Sequence, residues 1–204
     1  MDALSLLDAM PPRSAGDAED RAAVERTLTD ANAFDLLYRK YVADIYRYCY
    51  RRLGNREAAE DATSHIFMQT YAALPTLGSK PFRPWLFAIA RNVLIDRYRR
   101  RELLTTSLDL AAEQHDTNPS PEAHALDREG VDAIHELFGM LSERDRQVVE
   151  LRLAGLTGVE IAHAMQCSHA VVRTAQHRAF VKIRALLERA GLEDTPAPAK
   201  GTWQ

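Results

Sequence analysis

Two cysteines in 204 residues, Cys49 and Cys167, are too few and too far apart for a disulfide framework, which points to a reducing compartment. No window approaches the ~20 apolar residues that a membrane-spanning helix needs. Residues 1–14 lack the cationic start and long apolar run of a secretory signal, so a soluble cytoplasmic protein is expected. The ingredients of a catalytic or metal site are also sparse. His163, Cys167 and His169 have a spacing that suits zinc, but no fourth ligand is close and the other cysteine is in a different part of the chain. Asp61 and His65, four residues apart, could form a general-base pair, yet no nucleophile, glycine-rich loop or second carboxylate accompanies them. The sequence therefore predicts neither an enzyme nor a metal or cofactor site.

The formal net charge of −3 is wrong for a nucleic-acid binder until it is divided along the chain. Residues 1–33 carry three Arg against seven acids, and residues 34–101 carry thirteen Lys or Arg against six acids. Residues 102–127 hold Glu102, Asp109, Glu113, Asp116, Glu122 and Asp127 with no Lys or Arg at all. Residues 128–192 are nearly balanced, with nine basic side chains against eight acidic. Two regions able to approach a polyanion thus flank an acidic strip.

The most informative stretch is 155–187. Thr157 followed by Glu160 is a capping box that starts a helix with Ile161, Ala162 and Met165 on its apolar side. That helix must end near Gln166-Cys167. Ser168 is an N-cap for a second helix, in which Val172, Ala175, Ala179, Ile183 and Leu186 recur at helical spacing. Two helices joined by a tight turn, the second rich in Arg and Lys, form the pattern of a helix-turn-helix. The second helix of that pattern lies in a DNA major groove. A helical hairpin with a solvated basic face is the plainer reading of the same spacing.

Upstream, Phe34, Leu37, Tyr38, Tyr41, Ile45, Tyr48 and Cys49 give one long amphipathic helix, stopped by Gly54-Asn55. A second helix over 57–74 turns Ala59, Ala62, Ile66, Thr70 and Ala73 inward. Pro75, Gly78, Pro81 and Pro84 mark a loop. A third helix begins around 83–85, buries Trp85, Ile89 and Val93, and ends in the basic run 97–101. Three such helices make a small bundle. Residues 102–127 read as an extended linker, and a second small helical domain follows over 128–192, with helices from about 122 and over 143–153 before the helix-turn-helix. Residues 1–33 read as a mobile or partner-dependent extension containing a short helix around 18–28, and 193–204 as a disordered tail. The expected class is all-α, two small helical domains joined by a flexible acidic linker.

Both halves together resemble the extracytoplasmic-function (ECF) sigma factors of bacterial RNA polymerase, over roughly 34–190. The first half is similar to their region two in Phe34-Asp35-Leu36-Leu37-Tyr38, the run 46–54, Ala59-Glu60-Asp61, the run 85–92 beginning at Trp85, and the run 96–100 beginning at Asp96. The second is similar to region four in Leu141-Ser142-Glu143-Arg144, Gly155-Leu156-Thr157, Glu160-Ile161-Ala162, Val172-Arg173 and His177-Arg178-Ala179.

The resemblance implies that domain one docks on core RNA polymerase and melts the minus-ten promoter element, while domain two reads the minus-thirty-five element as duplex. It assigns Ser168, Arg173, Thr174, His177, Arg178 and Lys182 to the upstream element. It assigns Thr76, Leu77, Gly78, Ser79, Lys80 and Phe82 in the loop, with Trp85, Asn92, Asp96, Arg97, Arg99 and Arg100, to the minus-ten element. Trp85 suits the core as well as a melting wedge. Polymerase docking falls on Arg56, Glu60, Asp61, Ser64 and His65, the last two standing where the family usually has Gln and Glu. Gln166 stands where many members have a turn glycine, and Ala175 and Gln176 replace a usual Arg and an apolar residue. An anti-sigma factor is the inhibitor this family usually employs. The acidic linker could lie in the cationic RNA-exit channel as a phosphate mimic, or serve only as a tether. The rival reading is a two-domain helix-turn-helix regulator or adaptor that does not dock on polymerase.

Overall fold

The structure, a computed structural model, describes residues 16–107 and 138–189. Among the described residues all regular structure is helical: α1 (Asp17–Thr29), α2 (Phe34–Leu53), α3 (Arg56–Ala73), α4 (Phe82–Ser107), α5 (Glu143–Leu153), α6 (Gly158–Met165) and α7 (His169–Arg189). Short 3-10 turns at Ala31–Ala33 and Leu74–Thr76 join the first four.

The helix ends follow local chemistry. Gly54, at φ 67°, ends α2, and Asn55 caps α3 by accepting from the Ala58 amide at 2.8 Å. Ser142 caps α5 by accepting from the Asp145 amide. The 3-4 pattern of α2 buries Leu37, Tyr41, Ile45, Tyr48 and Cys49 against Ala59, Ala62, Ile66 and Phe67 of α3 and Leu86, Phe87, Ala90, Val93 and Leu94 of α4. Each large apolar side chain so buried contributes ~1.5–3 kcal/mol. Burial also pushes the Cys49 thiol up to about 11, so it stays protonated at neutral pH.

Three expectations need correction. Residues 17–29 are not a mobile extension: α1 packs on the bundle, with Asp20 buried and accepting from the Tyr41 hydroxyl and from Lys40 Nζ at 2.7 Å. Two acceptor oxygens find two donors there, which is why a carboxylate can be buried. Helix α4 continues past 101 to Ser107, because nothing in 102–107 breaks a helix. On α4, Trp85 and Ile89 are only half-buried, and Phe82, Leu86 and Phe87 fill the core in their place. The acidic stretch beyond 107, the helix expected from about 122, and the tail 193–204 lie outside the described residues.

The two bundles also pack on each other. Val148, Leu151, Leu156 and Ile161 of the second belong to one apolar cluster with Tyr48, Leu86 and Phe87 of the first. Polar contacts surround that seam, carried by Arg52, Arg83 and Arg91 from the first bundle.

Candidate nucleic-acid interface

The helix-turn-helix forms as its sequence dictates. Thr157 Oγ1 accepts from the Glu160 amide at 3.2 Å, and Glu160 returns the bond to the Thr157 amide at 2.7 Å. Gln166 closes α6 in the left-handed region, at φ 52°, ψ 45°. There its own amide and that of Cys167 satisfy the carbonyls of His163 and Ala162 at 3.2 and 3.0 Å. Gly158 opens α6 beside the exposed His169 ring at the start of α7: a β-carbon there would lie 2.5 Å from Nε2, a side-chain tip free to swing aside. The turn thus fixes the direction in which α7 leaves.

On α7, Val172, Ala175 and Ala179 are buried, while Arg173, Thr174, His177, Arg178 and Lys182 are exposed on the opposite side. Thr174 Oγ1 donates to the Ala170 carbonyl at 3.0 Å, leaving its methyl and lone pairs outward. Arg178 donates to Asp145 of α5 at 2.8 Å. Ser168 caps α7 through the Val171 amide at 3.4 Å. Ala175 and Gln176, the two departures from the family pattern that fall on α7, both face inward, Gln176 accepting from Arg152 at 3.4 Å. Neither belongs to the outward face.

In the first bundle the loop residues divide into two groups. Leu77 and Phe82 are buried and anchor the loop, whereas Thr76, Gly78, Ser79 and Lys80 stay at the surface. Gly78 needs its glycine for a φ of 61°. On α4, Asn92 and Asp96 are exposed one turn apart, Arg99 is exposed beyond them, and Arg100 follows on the same helix. Arg97 is half-buried, and its Nη1 donates to the Ala58 carbonyl at 3.1 Å, so it ties α4 to α3. Trp85 lies half-buried against Phe82, with ring centroids 6.0 Å apart.

The expected docking residues share one exposed strip of α3. Arg56 pairs with Glu60 at 2.9 Å, Ser64 donates to the Glu60 carbonyl at 3.0 Å, and His65 meets Gln69 at 3.1 Å. Asp61 is exposed beside them. Sequence reasoning missed Met68 and Tyr71, exposed at 66% and 45%, which continue the strip at helical spacing from Asp61 and Ser64. Their periodicity was readable, since both fall opposite the buried Ile66 and Thr70 stripe. An apolar strip rimmed by polar side chains suits a protein partner.

Residues 37–103 match the family model for Sigma-70 region 2 and residues 132–183 that for Sigma-70, region 4. The chain is 31% identical over 162 residues to the ECF RNA polymerase sigma factor BldN of Streptomyces coelicolor, covering 78% of this chain and 61% of that protein. It is 30% identical over 165 residues to the ECF RNA polymerase sigma factor SigM of Bacillus subtilis, covering 78% of this chain and 98% of that protein. Among solved structures, CnrH in complex with the cytosolic domain of CnrY matches with a TM-score of 0.66 at 22% identity, over 83% of this chain and 97% of that one. The sigma factor RpoE of Bartonella quintana, solved with the anti-sigma factor NepR, matches with a TM-score of 0.60 at 19% identity, over 76% of this chain and 96% of that one. With both sigma regions in order and their fold in place, the chain belongs to the ECF sigma factors, DNA-binding factors that direct promoter-specific transcription initiation.

Proposed function

We propose that the two bundles divide promoter recognition between them on core RNA polymerase. The strip Arg56–Glu60–Asp61–Ser64–His65, extended by Met68 and Tyr71, docks on the enzyme. The surface part of the loop, Thr76 and Gly78 to Lys80, receives an unstacked base of the minus-ten element, whose extrusion costs a few kcal/mol and is repaid by stacking and edge hydrogen bonds. Asn92 and Asp96 are the polar groups beside it, and Arg99 and Arg100 meet phosphates. Leu77, Phe82 and Arg97 hold the loop and α4 in position.

In the second bundle α7 reads the minus-thirty-five element as duplex. The observation that carries this is the split of α7, with small apolar residues inward and Arg173, Thr174 and His177 outward on its N-terminal half. Arg can pair bidentately with guanine, while Thr and His make smaller edge contacts. Lys182 and Arg178 add phosphate attraction. An anti-sigma factor is the inhibitory partner, and the protein acts in the cytoplasm without catalysing a reaction of its own.

Run-off transcription with purified core polymerase, on a duplex promoter and on a pre-melted fork, tests this. Product dependent on the added protein and on both elements is the expected result. Binding to the upstream duplex without any polymerase-dependent product would leave a DNA-binding regulator instead.

A further inference from the structure

The loop assigned to the minus-ten base is anchored at both ends, and α1 packs beside both anchors. Its leading end is the 3-10 turn Leu74–Thr76 followed by Leu77, and its trailing end is Phe82, where α4 begins. Leu74, Leu77 and Phe82 are buried and share one apolar cluster with Ala23 and Val24 of α1. Helix α1 packs on that 3-10 turn and on α4 as well as on α2. Between the anchors Thr76, Gly78, Ser79 and Lys80 stand at the surface. The path of the exposed part is therefore set from beneath, by side chains that touch no DNA on the reading given above.

One polar contact fixes where α1 sits. Asp20, only 2% exposed, accepts from the buried Tyr41 hydroxyl through Oδ2 and from Lys40 Nζ through Oδ1 at 2.7 Å. Glu19 adds a longer contact to the same Nζ at 3.5 Å. The Tyr41 ring in turn lies against Phe82, with centroids 5.5 Å apart, and Phe82 lies against Trp85. A packed path thus runs from the Asp20 carboxylate through Tyr41 to the trailing anchor of the loop. The buried apolar side chains of α1 are the small Ala23 and Val24, which give little grip on register. A buried carboxylate is tolerated only where its donors are met, so the Asp20 contact gives α1 one discrete seat.

We propose that Asp20 and Tyr41 are positioning residues for minus-ten recognition. Their hydrogen bond seats α1 beside the anchors, so that Thr76, Gly78, Ser79 and Lys80 keep one shape for the extruded base. The inference rests on the reading of the loop under the proposed function and adds α1 to it. A preformed site spends less of its binding energy on ordering, and it rejects a wrong base because fixed polar groups are left unpaired. A loop freed from its seat adapts to each base, so discrimination falls further than affinity.

The test uses the full chain assembled with core polymerase, on pre-melted minus-ten forks that carry each base in turn at the extruded position. Tyr41→Phe keeps the ring against Phe82 and removes only the donor. It should lower the preference for the best base over the others by about threefold to tenfold, the worth of one net hydrogen bond. Asp20→Asn still offers an oxygen to the Tyr41 hydroxyl and should keep most of that preference. Preference among variants of the upstream duplex should stay at the parent value in both. Amide exchange over 74–82 in the free chain should quicken in Tyr41→Phe while exchange in α7 does not change. Val24→Ala loosens the same seat without touching the polar pair and should give the same pattern more weakly, an arm that decides the matter if Tyr41→Phe does not fold. A merely structural role would weaken every fork alike. An unmoved ratio among bases in the folded variants, or parent exchange rates over 74–82, would overturn the proposal. Should the parent itself show no preference at the extruded position, the reading of the loop fails, while exchange over 74–82 still decides whether α1 seats it.

Discussion

Arg178, on the outward face of α7, donates through Nη2 to Asp145 Oδ1 at 2.8 Å and so ties the second helix of the helix-turn-helix to the first turn of α5. The pair aims a long cation that would otherwise sample many rotamers. Burial works against the Asp145 charge, but the hydrogen bonds from Arg178 and Ser142 and the nearby Arg178 and Arg144 charges outweigh it, so its carboxyl is held below its ordinary value of 3.8. If Arg178 meets a phosphate, Asp145→Asn should raise binding to cognate and scrambled duplex alike, because a negative charge beside the backbone is gone and the cation it held is freed. Titration of both duplexes at one salt concentration checks this. A depressed carboxylate contributes stability that is present above the unfolded value and lost as pH falls through the folded one. Acid unfolding of the parent should therefore gain a component below about pH 4 that Asp145→Asn lacks.

Asp20 is the second candidate for a decisive single change. Its carboxylate accepts from Tyr41 and Lys40 in a buried setting, and the Tyr41 hydroxyl is pushed far up by burial and by that carboxylate. Asp20→Ala would leave the hydroxyl without its acceptor, a cost of about 1–3 kcal/mol. The expected result is a lower Tm and faster amide exchange in α1 and the start of α2. Unchanged exchange there would show that α1 contributes little to the first bundle.

Much of this architecture was legible because local rules and packing agree. The 3-4 stripe of α2, the Thr157–Glu160 box and the Ser142 cap each specify an element without help from elsewhere. The helix around 18–28 was expected but its packing on the bundle was not legible, since its sequence is acidic and weakly amphipathic, and its anchor is one carboxylate whose partners lie about twenty residues on. The seam was hidden for a similar reason. Arg52 reads as an ordinary cation in the last turn of a helix, and only the fold brings Glu150 to it across a separation of 98 residues. Within the candidate site, composition marked the loop 76–82 but not which side chains turn inward, so Leu77 and Phe82 joined the surface set until burial separated them.

Gln166 offers a test of stored backbone strain. A non-glycine residue at φ 52° costs roughly 1 kcal/mol relative to glycine. Gln166→Gly should therefore stabilise the helix-turn-helix by up to about 1 kcal/mol, less the entropy that glycine adds to the unfolded chain. Denaturant unfolding followed in the second bundle measures this. Destabilisation would mean that the Gln166 side chain makes contacts worth more than the strain.

The sharpest test of base readout compares Arg173 with Lys182, both exposed on α7 but a little over two turns apart. Arg173 lies in the N-terminal half, the part of a recognition helix that reaches base edges, whereas Lys182 lies beyond that half, so on the proposed reading it meets only backbone. A bidentate Arg–guanine pair discriminates by about 1–3 kcal/mol, while a phosphate contact carries no sequence information. Arg173→Ala should thus weaken binding to the correct upstream element by that amount and relax preference at one base pair. Lys182→Ala should weaken cognate and scrambled duplexes alike and reduce the slope of log K against log salt by about one. Competition titrations over a range of salt, with single-base variants of the element, separate the two patterns. Equal losses on every duplex for both variants would place Arg173 on a phosphate and leave Thr174 and His177 as the groups that read sequence.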